Sequence, residues 1–346
     1  MKDETTTTAT DERDGALRKL EVYKDRESWL EARRLSIGSS DITAICGESR
    51  YASPFSVWAE KTGREVPAHD EESELLEWGH RNEEVIAAKM GEVLRKEVDE
   101  RIVLRDPGDF AICRAPASVP VPASATLDRE AFLRVEDFSG LSDTQPIHPG
   151  GTVPYAVVEL KNSSSWMEAR WREEIPISVT LQAQWQMIVT GHDLAFVAAL
   201  IGGNRFRWAR LETDDNLREI LLSIAAEFWE QVETDSPPPV DGLAVTRRAL
   251  VARYGKGGDG TTVALRDEAS QAWHCRAAAK ARIKEDKSIV DKATNDLVAA
   301  IGDHSAGRLE DGTVINATRV NVKESEPKPR KAYSFIRIGK QRGSGS

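Results

Sequence analysis

A carboxylate and an ammonium stand two residues apart at the end of an apolar run, Tyr155-Ala-Val-Val-Glu-Leu-Lys161. In a strand, side chains alternate faces with a period of two, so Glu159 and Lys161 point to one side and Leu160 to the other. Burying such a pair costs desolvation unless something satisfies or uses it; a surface ion pair at a fraying strand end is the plainer alternative. Asp128 sits at a turn between two strand-like segments, and Glu83 and Glu84 fall on a long amphipathic pattern. Two or three carboxylates converging on a strand pair make a hard-oxygen site of the kind Mg²⁺ prefers. Phosphodiester hydrolysis needs such an ion to draw charge from the phosphate and to acidify a water molecule. A neighbouring ammonium can orient that water and stabilise developing negative charge. Glu-x-Lys offers one ligand and one ammonium from a single strand face, and Asp128 from a neighbouring strand completes a bridge.

The elements that must position these groups are legible in part. Ser28, with Glu31 three residues on, predicts a capped helix through Leu35. Ser39, Ser40 or Asp41 caps a second, whose free N–H groups favour an anion, with Arg33 and Arg34 shortly before it. A plain capped helix with two solvated arginines is the alternative there. Ser53 to Gly63, with Pro54 in its first turn, predicts a third helix. From about Ser73 to Val98 an apolar stripe that includes Leu75, Leu76, Trp78, Val85, Ile86, Met90, Val93 and Leu94 predicts a long helix. It carries Glu83 and Glu84, and Gly79 interrupts it at a cost of about 1 kcal/mol relative to Ala.

After Arg101 the period changes, and short strands are predicted at 102–104, 110–113, 123–127 and 131–135. The Ser-, Gly-, Pro- and Asp-rich stretch 137–152 reads as a loop before the Glu-x-Lys strand. Ser178 to Gly191 predicts a helix on which Gln182 and Gln186 share a face and Gln184 lies on another. A hairpin at 194–211 and a helix at 216–233 follow.

Composition sets limits. A net charge of −10 with 30% charged residues argues against indiscriminate coating of nucleic acid, though not against handling it at a focused site. There is no run of about 18 apolar residues, so no membrane span is expected, nor a secretory signal peptide. Three distant cysteines suit a reducing compartment and give no zinc-ligand spacing. A cytoplasmic location is the expectation.

Asp128 followed by Glu159-Leu160-Lys161 resembles the PD-(D/E)xK nuclease signature. Its surroundings sharpen the resemblance. Trp29-Leu-Glu-Ala-Arg33 with Ile37-Gly-Ser-Ser-Asp41 is similar to the opening of the YqaJ-type viral recombinase family, which includes lambda exonuclease. Pro54-Phe55, Trp58, Glu60-Lys-Thr-Gly63, Trp78-Gly-His-Arg-Asn-Glu83 and Leu181-Gln-Ala-Gln-Trp-Gln-Met-Ile-Val-Thr-Gly191 continue it in order over residues 25 to 215. The resemblance implies a restriction-endonuclease-like α/β core, with a central mixed sheet flanked by helices. It also implies a Mg²⁺-dependent exonuclease, with Mn²⁺ as an alternative ion, that degrades one strand of linear duplex DNA from its 5′ end. By matched position Glu83, Asp128, Glu159 and the Leu160 carbonyl are implied metal ligands, and Lys161 positions the nucleophilic water. Arg33 and Ser40 match phosphate-contacting positions, and Gln182 and Gln184 match supporting glutamines. A phage or prophage origin, a single-strand annealing partner and a ring-shaped homo-oligomer are implied as well. The chain departs from the family pattern at Leu127 and Arg129, where Pro and Gly are common, and at Glu84, which leaves Glu83 and Glu84 as alternatives. A structure-specific or defence-related endonuclease and a non-catalytic DNA-binding or assembly factor are the rival readings.

The expected organisation is a disordered tail at 1–24, a nuclease-like domain at 25–235 and a Pro-rich linker at 236–243. A helical and hairpin extension with a basic end then fills 244–346. Within it, 269–301 reads as helix, the Asp311-Gly312 turn as a hairpin, and 333–338 as a last strand.

Overall fold

The computed structural model describes residues 6–9, 19–64, 74–136, 148, 150–255 and 261–318. These fall into two compact units, which divide after residue 256.

The first unit is a mixed α/β structure. Among the described residues its main sheet has five strands: β3 (Ile102–Arg105), β6 (Arg129–Arg134), β7 (Thr152–Ser163), β8 (Leu194–Ile201) and β9 (Arg205–Glu212), in that spatial order. Only β7 and β8 run parallel; the other pairs are antiparallel. A second sheet joins β1 (Thr6–Ala9), β2 (Lys19–Tyr23), β4 (Ala111–Arg114) and β5 (Ser124–Ala125). The central mixed sheet flanked by helices is the architecture expected.

Strand β7 is longer than its apolar run. It begins at Thr152, and the register to β6 shifts between Ala131 and Phe132, where Pro154 enters. Proline cannot donate to a ladder, so a bulge is the natural place for it. Past the bulge, β7 separates two apolar layers. Ala156, Val158 and Leu160 pack with Ile86, Met90 and Leu94 of helix α4 (Glu74–Glu97). Val157 joins the other layer, built around helix α6 (Ile177–Thr190). Glu159 and Lys161 share the parity of Val157 and so project toward α6. Val85 and Trp78 of the predicted α4 stripe are exposed instead, and Ala87 takes a buried place; the side chains of Leu75 and Leu76 lie outside the described residues.

Helix α6 is buried nearly all round from Ala183 to Val189, which marks a helix enclosed in the core. It ends at Gly191, whose φ of 75° is the left-handed cap that glycine adopts without strain. The Trp185 indole N–H reaches the carbonyls of Ile37 and Ser124 at 3.1 and 3.2 Å, tying α6 to both neighbouring segments.

Three boundaries differ from expectation. The end of the expected tail is the strand β2, where Glu21 accepts from Arg114 at 2.9 Å. The alternation is too short to stand out beside the Thr-rich stretch. Helix α1 (Arg26–Arg34) starts earlier than predicted, because Asp25 and not Ser28 caps it. Beyond the prolines, helix α8 (Ala244–Tyr254) belongs to the first unit: Thr246 donates to Ser53 Oγ at 2.6 Å and Ala249 is buried.

The second unit holds one continuous 35-residue helix, α9 (Asp267–Ile301), and the hairpin β10 (Ala306–Arg308) and β11 (Val314–Asn316). Gly312, at φ 87°, makes the turn that Asp311-Gly312 predicted. The predicted strand at 333–338 and the basic end lie outside the described residues, as does nearly all of the 137–152 loop. Among the described residues no helix is long and apolar enough to cross a membrane.

Candidate functional site

Four segments meet around β7. Glu159 is fully buried. Its Oε1 pairs with the Lys161 ammonium, and its Oε2 accepts from Gln186 Nε2 at 2.6 Å. The peptide between β5 and β6 delivers Asp128, whose Oδ2 accepts from the Leu160 N–H at 2.7 Å. A backbone donor on β7 thus fixes one carboxylate while side chains on β7 and α6 fix the other. The even residue of Glu-Leu-Lys lends its backbone to the site and its apolar side chain to the opposite layer.

The electrostatics follow from that crowding. Burial first, and then the Glu159 carboxylate, push the Asp128 carboxyl up to about 8, against the pull of Lys161 and the Leu160 N–H. Asp128 as a residue is half-buried, and the charges of Glu159, Lys161 and Glu83 all act on its carboxyl. Burial alone would lower the Lys161 ammonium; the carboxylates of Glu159, Asp128 and Glu83 outweigh it and raise that group. The Lys161 side chain keeps 30% of its surface exposed.

Of the two candidate glutamates on α4, Glu83 is the half-buried one whose charge acts on Asp128 and Lys161; Glu84 is 78% exposed. Both are engaged by Arg129. Its Nη1 donates to Glu83 Oε1 at 3.1 Å and lies 3.2 Å from Asp106 Oδ2, and its Nη2 pairs with Glu84. Burial raises the Glu83 carboxyl, and Arg129 opposes that shift.

The donor set suits a divalent cation: the carboxylates of Asp128 and Glu159 and the Leu160 carbonyl are hard oxygens, and the charge of Glu159 adds to the rise of the Asp128 carboxyl. Among the described residues no three His, Cys, Asp or Glu side chains already converge as a metal cage.

The expected supporting glutamines divide. Gln184 donates to the Glu212 carbonyl at 2.8 Å and accepts from the Asp214 N–H at 3.2 Å, so it braces the end of β9 against helix α7 (Asp215–Glu233). Gln182 is partly exposed on the face it shares with Gln186. The glutamine that touches Glu159 is Gln186. The shared face of Gln182 and Gln186 was visible in the spacing; the signal that separates them is that Gln186 stands in the apolar run Trp185 to Val189.

Arg33 and Ser40 are adjacent, with Arg33 Nη2 donating to Ser40 Oγ at 3.3 Å. Ser40 lies in helix α2 (Ser39–Ile45), whose cap is Gly38 and whose Asp41 accepts from the Gly38 N–H at 2.8 Å. A carboxylate of the chain therefore already serves that helix start. The buried Lys61 ammonium lies 2.6 Å from Asp41 and donates to the Arg33 carbonyl at 2.8 Å, binding the two segments together.

Comparison with known proteins gives residues 28–193 a match to the model of the YqaJ-like viral recombinase domain. A Bacillus subtilis (strain 168) protein described as uncharacterized protein YqaJ is 30% identical over 234 residues, which are 66% of this chain and 63% of that protein. The chain thus spans somewhat less than two thirds of that relative's length. Among solved structures, an alkaline exonuclease (LHK-Exo) from Laribacter hongkongensis has a TM-score of 0.43 at 14% identity, covering 61% of this chain and 94% of that one. The same enzyme in complex with dAMP has a TM-score of 0.39 over the same shares.

Proposed function

We propose, from the match of residues 28–193 to the model of the YqaJ-like viral recombinase domain, that the protein is a Mg²⁺-dependent exonuclease acting on linear duplex DNA. It hydrolyses phosphodiester bonds of one strand, from the 5′ end, to expose single strand. The observation that carries this reading is the meeting of Glu159 and Lys161 on β7 with Asp128 from the peptide just before β6, the two carboxylates close enough to perturb one another.

Asp128, Glu159 and the Leu160 carbonyl hold the cation, with Glu83 as the further ligand. When bound there, the cation supplies charge neutralisation at the phosphate and acidifies a water molecule. The chain's own residues do the remaining work. Gln186 and Lys161 hold the Glu159 carboxylate from opposite oxygens. Lys161, charged and partly exposed, orients the attacking water and stabilises charge on the phosphate. Arg33 and Ser40 contact a backbone phosphate of the bound strand. The setting is phage recombination in a bacterial cytoplasm, beside a single-strand annealing protein and as a homo-oligomeric ring.

The test is degradation of end-labelled linear duplex in Mg²⁺, beside covalently closed circles, chelator and Glu159→Ala. We expect linear duplex to be consumed from its 5′ ends, circles to persist, and chelator or Glu159→Ala to cut the rate by orders of magnitude while DNA binding is retained. Rapid cutting of closed circles would establish an endonuclease instead. Function that survives both chelator and Glu159→Ala would establish a binding or assembly factor.

A further inference from the structure

Arg129 is 7% exposed at the start of β6, beside Asp128, and its Nη1 also donates to the Asp128 carbonyl at 2.5 Å. Three carboxylates surround its guanidinium, and they are not equivalent. Glu83 is the one whose charge acts on Asp128 and Lys161. Glu84 and Asp106 lie toward solvent, 78% and 47% exposed. A guanidinium presents several donors in a fixed fork and stays charged, so it can give up one carboxylate and keep others.

We propose that Arg129 is a positioning residue that competes with the divalent cation for Glu83. In the metal-free chain it holds Glu83 by a hydrogen bond and an ion pair. On metal binding Glu83 turns to the cation, and Arg129 remains neutralised by Glu84 and Asp106. The arrangement lets a buried arginine release one partner without being left as an uncompensated charge, which would be costly. It also spares the metal-free chain an unpaired Glu83 next to Asp128 and Glu159. Arg129 thereby sets how tightly the site takes a cation. The inference rests on the cation site proposed above.

The test is calorimetric titration of Mn²⁺ into the full chain without DNA, for the unaltered protein, Arg129→Gln, Arg129→Lys and Glu159→Ala. Outer partners of ligands shift metal affinity by about ten- to a hundredfold. Because Arg129 is a competitor, its loss should tighten Mn²⁺ binding by about tenfold in Arg129→Gln. Arg129→Lys should fall between, since one ammonium cannot hold the Glu83 and Glu84 carboxylates from two nitrogens. A residue with a merely structural role would weaken binding when removed, so unchanged or weaker Mn²⁺ binding in Arg129→Gln overturns the proposal. If Arg129→Gln does not fold, Arg129→Lys decides, and binding no tighter than in the unaltered chain overturns it. Binding that is lost in Glu159→Ala but untouched at Arg129 sinks this inference alone. No Mn²⁺ binding by the unaltered chain removes the cation site and this inference with it.

Discussion

The Gln186 amide donates to the Glu159 carboxylate, Nε2 to Oε2, at 2.6 Å, inside a core where both side chains are fully buried. Lys161 takes the other oxygen, so the carboxylate is gripped from two elements, a strand and a helix. A ligand gripped in this way has one orientation available to it. Gln186→Ala should therefore cut kcat about ten- to a hundredfold, the range seen when a partner behind a metal ligand is removed, with little change in DNA affinity. Gln184→Ala should lower thermal stability and leave kcat of the folded protein nearly unchanged, because its partners are the Glu212 carbonyl and the Asp214 N–H. Steady-state kinetics on both variants decide this, and equal losses of kcat would refute the division of roles.

Period and punctuation made most of the first unit legible. The strand carrying Glu159, the helix carrying Glu83 and the hairpin after Gly191 all stand near their predicted places. What periodicity alone could not show was which polar residue on an enclosed helix points at the site. Helix α6 is buried nearly all round and its polar residues are spread over several faces, so its periodicity names no single inward face. Arg129 was legible only as a departure from a family pattern, because its three carboxylate partners come from segments distant from it along the chain, Glu83 and Glu84 from α4 and Asp106 from just after β3. The strand β2 was hidden for a similar reason, since its stability comes from β4 and Arg114, far along the chain.

Lys61 is a structural test of the Arg33–Ser40 region. Its side chain is fully buried, and it neutralises Asp41 while donating to the Arg33 carbonyl. Burial would raise the Asp41 carboxyl, but Lys61 and then Arg33 outweigh it and hold it below its ordinary value. Lys61→Met leaves a buried carboxylate without its counterion, which costs about 3–5 kcal/mol. Urea denaturation should show that loss, and adding Asp41→Asn should return part of it. A shift below about 1 kcal/mol would mean that Asp41 finds another partner.

Arg33 should act on binding more than on chemistry. It contacts Ser40 at 3.3 Å and lies over the Trp29 ring at 4.7 Å, on segments other than those that carry Asp128 and Glu159. A residue of this kind that holds a phosphate weakens affinity for all sequences alike and contributes about one unit to the salt slope. Arg33→Ala is thus expected to raise KM for duplex DNA severalfold, flatten the dependence of log Kd on log salt by about one, and leave kcat within a few-fold. An unaltered salt slope would remove Arg33 from the DNA path.

Asp128 gives the site a pH dependence of definite sign. Its folded carboxyl titrates at about 8 against an ordinary value of 3.8, raised by burial and then by Glu159. The folded chain therefore holds this proton more tightly than the unfolded chain. The group's favourable contribution to stability is full below about pH 4 and is lost as pH rises toward 8. A cation needs the carboxylate free, so binding at neutral pH must expel that proton. Mg²⁺-supported kcat/KM should climb about tenfold per pH unit below 8 and level off above it. Because hydroxide chemistry alone could give a rising limb, the separating measurement is proton release. Mn²⁺ titrated at pH 7 into two buffers of different ionisation heat should liberate about one proton per bound ion. In the same titration Asp128→Asn, which cannot ionise at that position, should release none. Proton release unchanged by Asp128→Asn would transfer the titration to another group.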